Sequence, residues 1–221
     1  MKNFNSTNNS VGTQILIDVP NIGSAVSGFA RFCCPLSSFI NLRRLRGALA
    51  SRFGKIHSAR AYLSPAAHEL PVARRTSRCL CDSGFDVRVV SQADPCFDKK
   101  DPVDSAIRED IYNSIRPGSA STLVLASCDG GYAPWLSCAL AAGVKVVVLG
   151  FLELFPEALL KLRNQGATLL DLEHDLRASW RPLPNRQAAE TLTHLGLLAT
   201  LPIVTRPAEY GVGALFAAAG V

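Results

Sequence analysis

Short runs of β-branched and aliphatic residues alternate along this chain with stretches whose apolar positions recur every third or fourth residue. "QILIDVP" (14–20) is the first run, rich in Ile and Val, and it carries Asp18 near its end. "SSFINLRRLRGALASRFG" (37–54) then sets Phe39, Leu42, Leu45, Leu49 and Phe53 on one face, which predicts an amphipathic helix ending near Gly54. "KIHSARAYLS" (55–64) predicts a second strand. The later part of "AAHELPVARRTSRCLCDSG" (66–84) predicts a helix, with Pro71 near its start and Gly84 past its end. "FDVRVVSQ" (85–92) predicts a third strand. A polar connector, "ADPCFDKKD", leads to a helix over 102–115 with Pro102 in its first turn. "STLVLASC" (121–128), "GYAPWLSCALAAG" (131–143), "VKVVVLGF" (144–151), "FPEALLKLRNQG" (155–166) and "ATLLDLE" (167–173) continue the strand–helix alternation.

That alternation predicts an α/β fold, with a mainly parallel central sheet flanked by helices on both faces in three layers. "VKVVVLG" has the near-continuous apolar character of a central parallel strand. Ligands of such sheets bind at the carboxyl ends of the strands, where chain direction splits. Asp18 and Asp129 both stand at such ends.

Composition changes this picture little. Of 221 residues, 48% are hydrophobic, which makes the chain globular rather than disordered. The net charge of +5 favours an anionic partner without specifying one. The seven cysteines are odd in number and show no C-x-x-C pair, which argues against a disulfide framework or a structural zinc and for reduced thiols in the cytoplasm. Residues 1–13 are polar and predict a flexible leader; no stretch is long and apolar enough to span a membrane. The domain is expected over 14–175. Residues 176–221 predict a C-terminal helical extension, interrupted by Pro202 and Pro207, that packs on the core or on a second subunit of a homodimer.

The chemistry-bearing residues are acids: Asp18, Asp104 and Asp110 on the 102–115 helix, and Asp129. Carboxylates from separate segments, crowded at one sheet edge, repel until a cation sits between them, and oxygen donors suit Mg2+ or Mn2+. Such an ion assists both the attacking water and the leaving oxygen of a phosphodiester. Each acid also has a plainer reading as a helix cap or a solvated surface group. Asp104 and Asp110 lie roughly 120° apart on an ideal helix, so both cannot face one ion squarely, and Asp104 is the better placed.

"ILIDVPNI", "KKDPVDSAIREDI" and "LVLASCDGGYAPWLSCALAAGVKVVVLG" together resemble the NYN domain family, in its LabA-like branch of the PIN-like nucleases. Asp18 with Asn21, then Lys100, Asp104 and Asp110, then Ser127, Asp129, Tyr132 and Pro134 match the family's pattern in order, over about residues 14–151. The resemblance implies a PIN-like fold and a metal-dependent ribonuclease. Asp18, Asp104, Asp129 and Asn21 would be catalytic, and Asp18, Asp104, Asp129 and Asp110 would hold Mg2+ or Mn2+. The sequence departs from the pattern at Cys128, which replaces a usual Gly, at Gly131, where the family usually carries a second Asp, and in one extra residue before Asp104. A catalytically decayed module that binds RNA or a protein partner without cleavage is therefore the alternative. For RNA, the candidate contacts are Lys99 and Lys100 beside the acidic helix, Arg43 and Arg44 on the first helix, and Tyr132 as a stacking platform, although a residue at that position more often packs in the core.

Overall fold

The computed structural model describes residues 12–27, 40–64, 71–90, 102–176 and 179. Residues 1–11 of the leader, Lys99 and Lys100, and nearly all of the C-terminal extension lie outside these residues; Thr13, expected in the leader, belongs to the first strand. The described strands are β1 (Thr13–Asp18), β2 (Ile56–Leu63), β3 (Asp86–Val89), β4 (Thr122–Ala126), β5 (Lys145–Gly150) and β6 (Thr168–Asp171). They form one sheet in the order β3-β2-β1-β4-β5-β6, and every neighbouring pair is parallel. The helices are α1 (Val19–Ser27), α2 (Leu42–Phe53), α3 (Pro71–Asp82), α4 (Pro102–Ser114), α5 (Ala133–Ala141) and α6 (Glu157–Lys161). Among the described residues no helix is long and apolar enough to cross a membrane.

β1, β4 and β5 are buried on both faces, which is why they read as continuous apolar runs. Successive side chains of β1 feed different cores. Ile15 and Ile17 join Leu42, Leu45, Leu49 and Leu80 of α2 and α3. Leu16 joins Val103, Ile107, Leu136 and Leu159 of α4, α5 and α6. The sheet is thus covered on both faces.

The strand order places the switch of chain direction between β1 and β4: β2 and β3 continue to one side, β5 and β6 to the other. The crevice at the carboxyl edge of β1 and β4 is where such sheets bind ligands. The chain leaves β1 at Asp18 and leaves β4 just before Ser127, so the acid motifs are delivered to that crevice.

One element departs from the sequence expectation. The sequence pattern extends the first strand through residues 19–20, yet α1 begins at Val19 directly after Asp18. Pro20 falls in the first helical turn, where its missing N–H costs no hydrogen bond and its fixed φ suits the helix.

Candidate active site

Asp18 has two tasks, one for each oxygen. Its Oδ1 accepts the Asn21 N–H at 3.1 Å, the bond by which an N-cap residue starts a helix. Its Oδ2 faces the crevice: the Ser127 hydroxyl donates to it at 3.3 Å, and Tyr132 Oη lies 3.1 Å away. The residue is 3% exposed. Burial is the main influence on its carboxyl and pushes the pKa up to about 7; the bonds from Asn21, Tyr132 and Ser127 oppose this, while the charge of Asp104 adds to it.

Asp104 occupies the first turn of α4. Its Oδ1 accepts from the Tyr132 hydroxyl at 2.6 Å, and its Oδ2 pairs with Arg108 Nη2, one turn further on, at 3.2 Å. The phenol of Tyr132 therefore joins an acid from β1 to an acid from α4. Burial, followed by the charge of Asp18 and the bond to Asp104, holds the Tyr132 pKa far above the ordinary phenol value, so the hydroxyl keeps its proton. A hydroxyl has one hydrogen to donate. Asp104 Oδ1 and Asp18 Oδ2 therefore share the single hydrogen that Tyr132 Oη donates, with Asp104 the nearer acceptor.

Asp129 caps the 3-10 turn Gly130–Tyr132: its Oδ1 accepts the Gly131 N–H at 2.8 Å. Its own N–H donates to Ser127 Oγ at 3.1 Å, so Ser127 connects the Asp129 backbone to the Asp18 carboxyl. Asn21 Oδ1 accepts the Cys128 N–H at 2.7 Å. The loop after β4 is thus held against the start of α1 by side chains from both segments. Within these contacts, Asn21 acts as a brace for that loop.

The remaining sequence candidates fall elsewhere. Asp110 is buried lower on α4, where it accepts from Arg60 Nη1 at 2.6 Å and from the Tyr62 hydroxyl, with Arg88 Nη1 at 3.4 Å. These partners come from β2 and β3, on the side of α4 away from the Tyr132 hydroxyl bridge. Tyr132 is fully buried, so its ring offers no face to a base; the hydroxyl is the part that reaches the site. Arg43 and Arg44 are exposed on α2, in the layer across the sheet from Tyr132, and the Arg43 guanidinium donates to the Asp82 carbonyl at 3.4 Å. Lys99 and Lys100 lie outside the described residues.

Sequence reasoning passed over Arg108. The signal was present, since an acid followed four residues later by Arg on a helix forms a facing pair.

Among the described residues no three His, Cys, Asp or Glu side chains are grouped as ligands for one ion. The Asp18–Asp104 pair bridged by Tyr132 is the nearest arrangement to such a centre. Magnesium commonly binds through one or two carboxylates and completes its shell with water and substrate phosphate. Buried Asp18 and half-buried Asp104 supply hard-oxygen donors that fit that requirement, and a cation would offset the burial that raises the Asp18 pKa.

Residues 12–173 match the family model for the NYN domain. No curated protein matches the chain. Among solved structures, a protein of unknown function from Vibrio parahaemolyticus superposes with a TM-score of 0.57 at 20% identity, covering 78% of this chain and 98% of that one. At that identity the likeness is one of fold.

Proposed function

Because this chain belongs to the NYN domain family, whose members are generally nuclease-like ribonuclease domains, we propose that it is a metal-dependent ribonuclease acting at the β1–β4 crevice. The observation that carries this reading is the Tyr132 hydroxyl, which brings Asp18 and Asp104 together from separate elements at the edge where such sheets bind ligands.

In this reading Asp18 and Asp104 hold a magnesium or manganese ion, with Asp129 beside them on the loop that Asn21 braces. The ion, when bound, supplies positive charge to the attacking and leaving oxygens of the phosphodiester. Tyr132 holds the two carboxylates at a fixed separation. Ser127 ties the third acid's backbone to the first. Asp110 neutralises Arg60 and Arg88 and supports α4 from below. The LabA-like branch, single-stranded RNA as substrate and a cytoplasmic location belong to the same proposal.

A second reading, an RNA-binding module whose site has decayed, is favoured by one specific feature. Gly131 lacks the family's second acid, and Asp104 is already paired with Arg108. Digestion of a labelled single-stranded RNA with manganese, against a chelator control, separates the two. Metal-stimulated cleavage supports the nuclease; binding without cleavage supports the module.

A further inference from the structure

The position of Gly131 and the side chain of Arg108 belong to one local arrangement. A Cβ placed on Gly131 would stand 3.4 Å from Arg108 Nη2, 3.3 Å from Asp129 Oδ1 and 3.6 Å from Asp129 Oδ2. A carboxylate at position 131 would therefore enter the space between Asp129 and the guanidinium. Arg108 itself reaches Asp104 Oδ2 at 3.2 Å, and its guanidinium carbon lies 6.0 Å from the centroid of the Tyr132 ring. Its Nε is buried and has no hydrogen-bond partner. The side chain as a whole is 31% exposed. A fixed positive charge thus stands in contact with Asp104 and beside Asp129, at the position where an additional acid would otherwise point.

Resting on the ribonuclease reading, we infer that Arg108 serves as the resident second cation of this centre: the site takes one divalent ion, and the guanidinium contacts the RNA phosphate in place of a second ion. The charge arithmetic supports this. One or two carboxylates commonly hold a single magnesium-type ion, and of the two acids that Tyr132 joins, Asp18 and Asp104, the second is already paired with an arginine. Arginine is the side chain best suited to the exchange, because its planar fork of donors binds a carboxylate and a phosphate oxygen at once and never loses its charge.

The test uses the full chain and three variants, Arg108→Gln, Arg108→Lys and Gly131→Asp, each checked for a cooperative thermal transition. Calorimetry with manganese alone should give one ion per wild-type chain. Arg108→Gln should bind manganese about fivefold more tightly, because a positive charge next to the ligand set is gone. Gly131→Asp should also bind more tightly. Without metal, Arg108→Gln should bind single-stranded RNA several-fold more weakly, with a salt dependence reduced by about one phosphate contact, while Arg108→Lys stays near wild type. In cleavage, Arg108→Gln should lose about tenfold or more in kcat, and Lys should recover part of it.

A wild-type stoichiometry of two ions would overturn the inference. So would unchanged manganese and RNA affinity in Arg108→Gln, or faster cleavage by that variant, which would make Arg108 a blocker of the site. The binding measurements do not depend on turnover. If wild-type protein fails to cleave while both binding shifts appear, the ribonuclease reading fails and the charge role of Arg108 stands.

Discussion

The phenol oxygen of Tyr132 lies 3.1 Å from Asp18 Oδ2, although 114 positions separate the two residues. The same oxygen is 2.6 Å from Asp104 Oδ1. Tyr132→Phe keeps the ring and removes this link. Loss of a buried hydroxyl bonded to charged partners should cost roughly 1–3 kcal/mol. In a chain of this length that is a fall in Tm of roughly 2–12 °C, read by thermal melts in chelator. Metal-stimulated cleavage should fall as well, because the spacing of the two acids is no longer fixed. A Phe variant as stable and active as wild type would show that the bridge is incidental.

Asp18 makes stability depend on pH. In the unfolded chain its carboxyl titrates near 3.8, and in the fold near 7. Between those values the native state holds a proton that the unfolded state has lost, so rising pH lowers stability until the native group also ionises. Asn mimics the neutral form. In chelator, Asp18→Asn should therefore be more stable than wild type by roughly 2–4 kcal/mol at pH 8, with the gain shrinking to nothing near pH 4. An equal gain at both pH values would mean that the carboxyl is not raised by the fold.

Asp110 should behave as a structural acid. Its carboxylate is buried among Arg60, Arg88 and Tyr62, and removing it leaves the arginines without their counter-charge. Asp110→Ala should lose roughly 1–3 kcal/mol of stability by denaturant melt, because the partly exposed arginines and the buried Tyr62 hydroxyl lose their acceptor. Asp110→Asn should lose less. In the folded fraction of the Asn variant, manganese affinity should stay within about twofold of wild type, because the change in charge sits on the β2–β3 side of α4. A manganese affinity that falls sharply in a folded Asn variant would place Asp110 at the ion.

Asn21→Ala removes the acceptor for the Cys128 N–H and leaves that group partly buried and unbonded. A stability loss of roughly 1–2 kcal/mol is expected. The loop bearing Asp129 should loosen, which faster amide exchange at Cys128 and Asp129 would report. Exchange rates equal to wild type would mean that Asn21 does not brace the loop.

Much of this was legible in the sequence because the signals were local. The apolar runs of β1, β4 and β5 and their polar ends gave the strands, and strand alternation gave the parallel sheet. Asp18 and Asp129 could be placed at strand ends because period and punctuation mark those ends. The cap reading and the site reading also prove compatible: each of these acids uses Oδ1 to cap a turn, and Asp18 turns Oδ2 to the crevice. The long-range pairings were not legible. Nothing in "IREDI" says that Asp110 meets Arg60, 50 residues away, on another element. The position of Tyr132 after a strand end favours core packing, but the two acids its hydroxyl meets depend on how α4 and α5 sit over the sheet. α1 was missed because Asp-Val-Pro is equally the signature of a turn, and only the Asn21 N–H on Asp18 distinguishes the two.

Cleavage of a 5′-labelled single-stranded RNA by wild-type protein and by Asp18→Asn, across a manganese titration with a chelator control, tests the central claim most directly. Wild-type cleavage should appear with manganese and vanish in chelator. Asp18→Asn, although folded and more stable at that pH, should cleave on the order of a hundredfold more slowly at every manganese concentration. Wild-type protein that binds the RNA and leaves it intact at all manganese concentrations, or a folded Asp18→Asn variant that cleaves at the wild-type rate, would contradict a metal-dependent ribonuclease centred on Asp18.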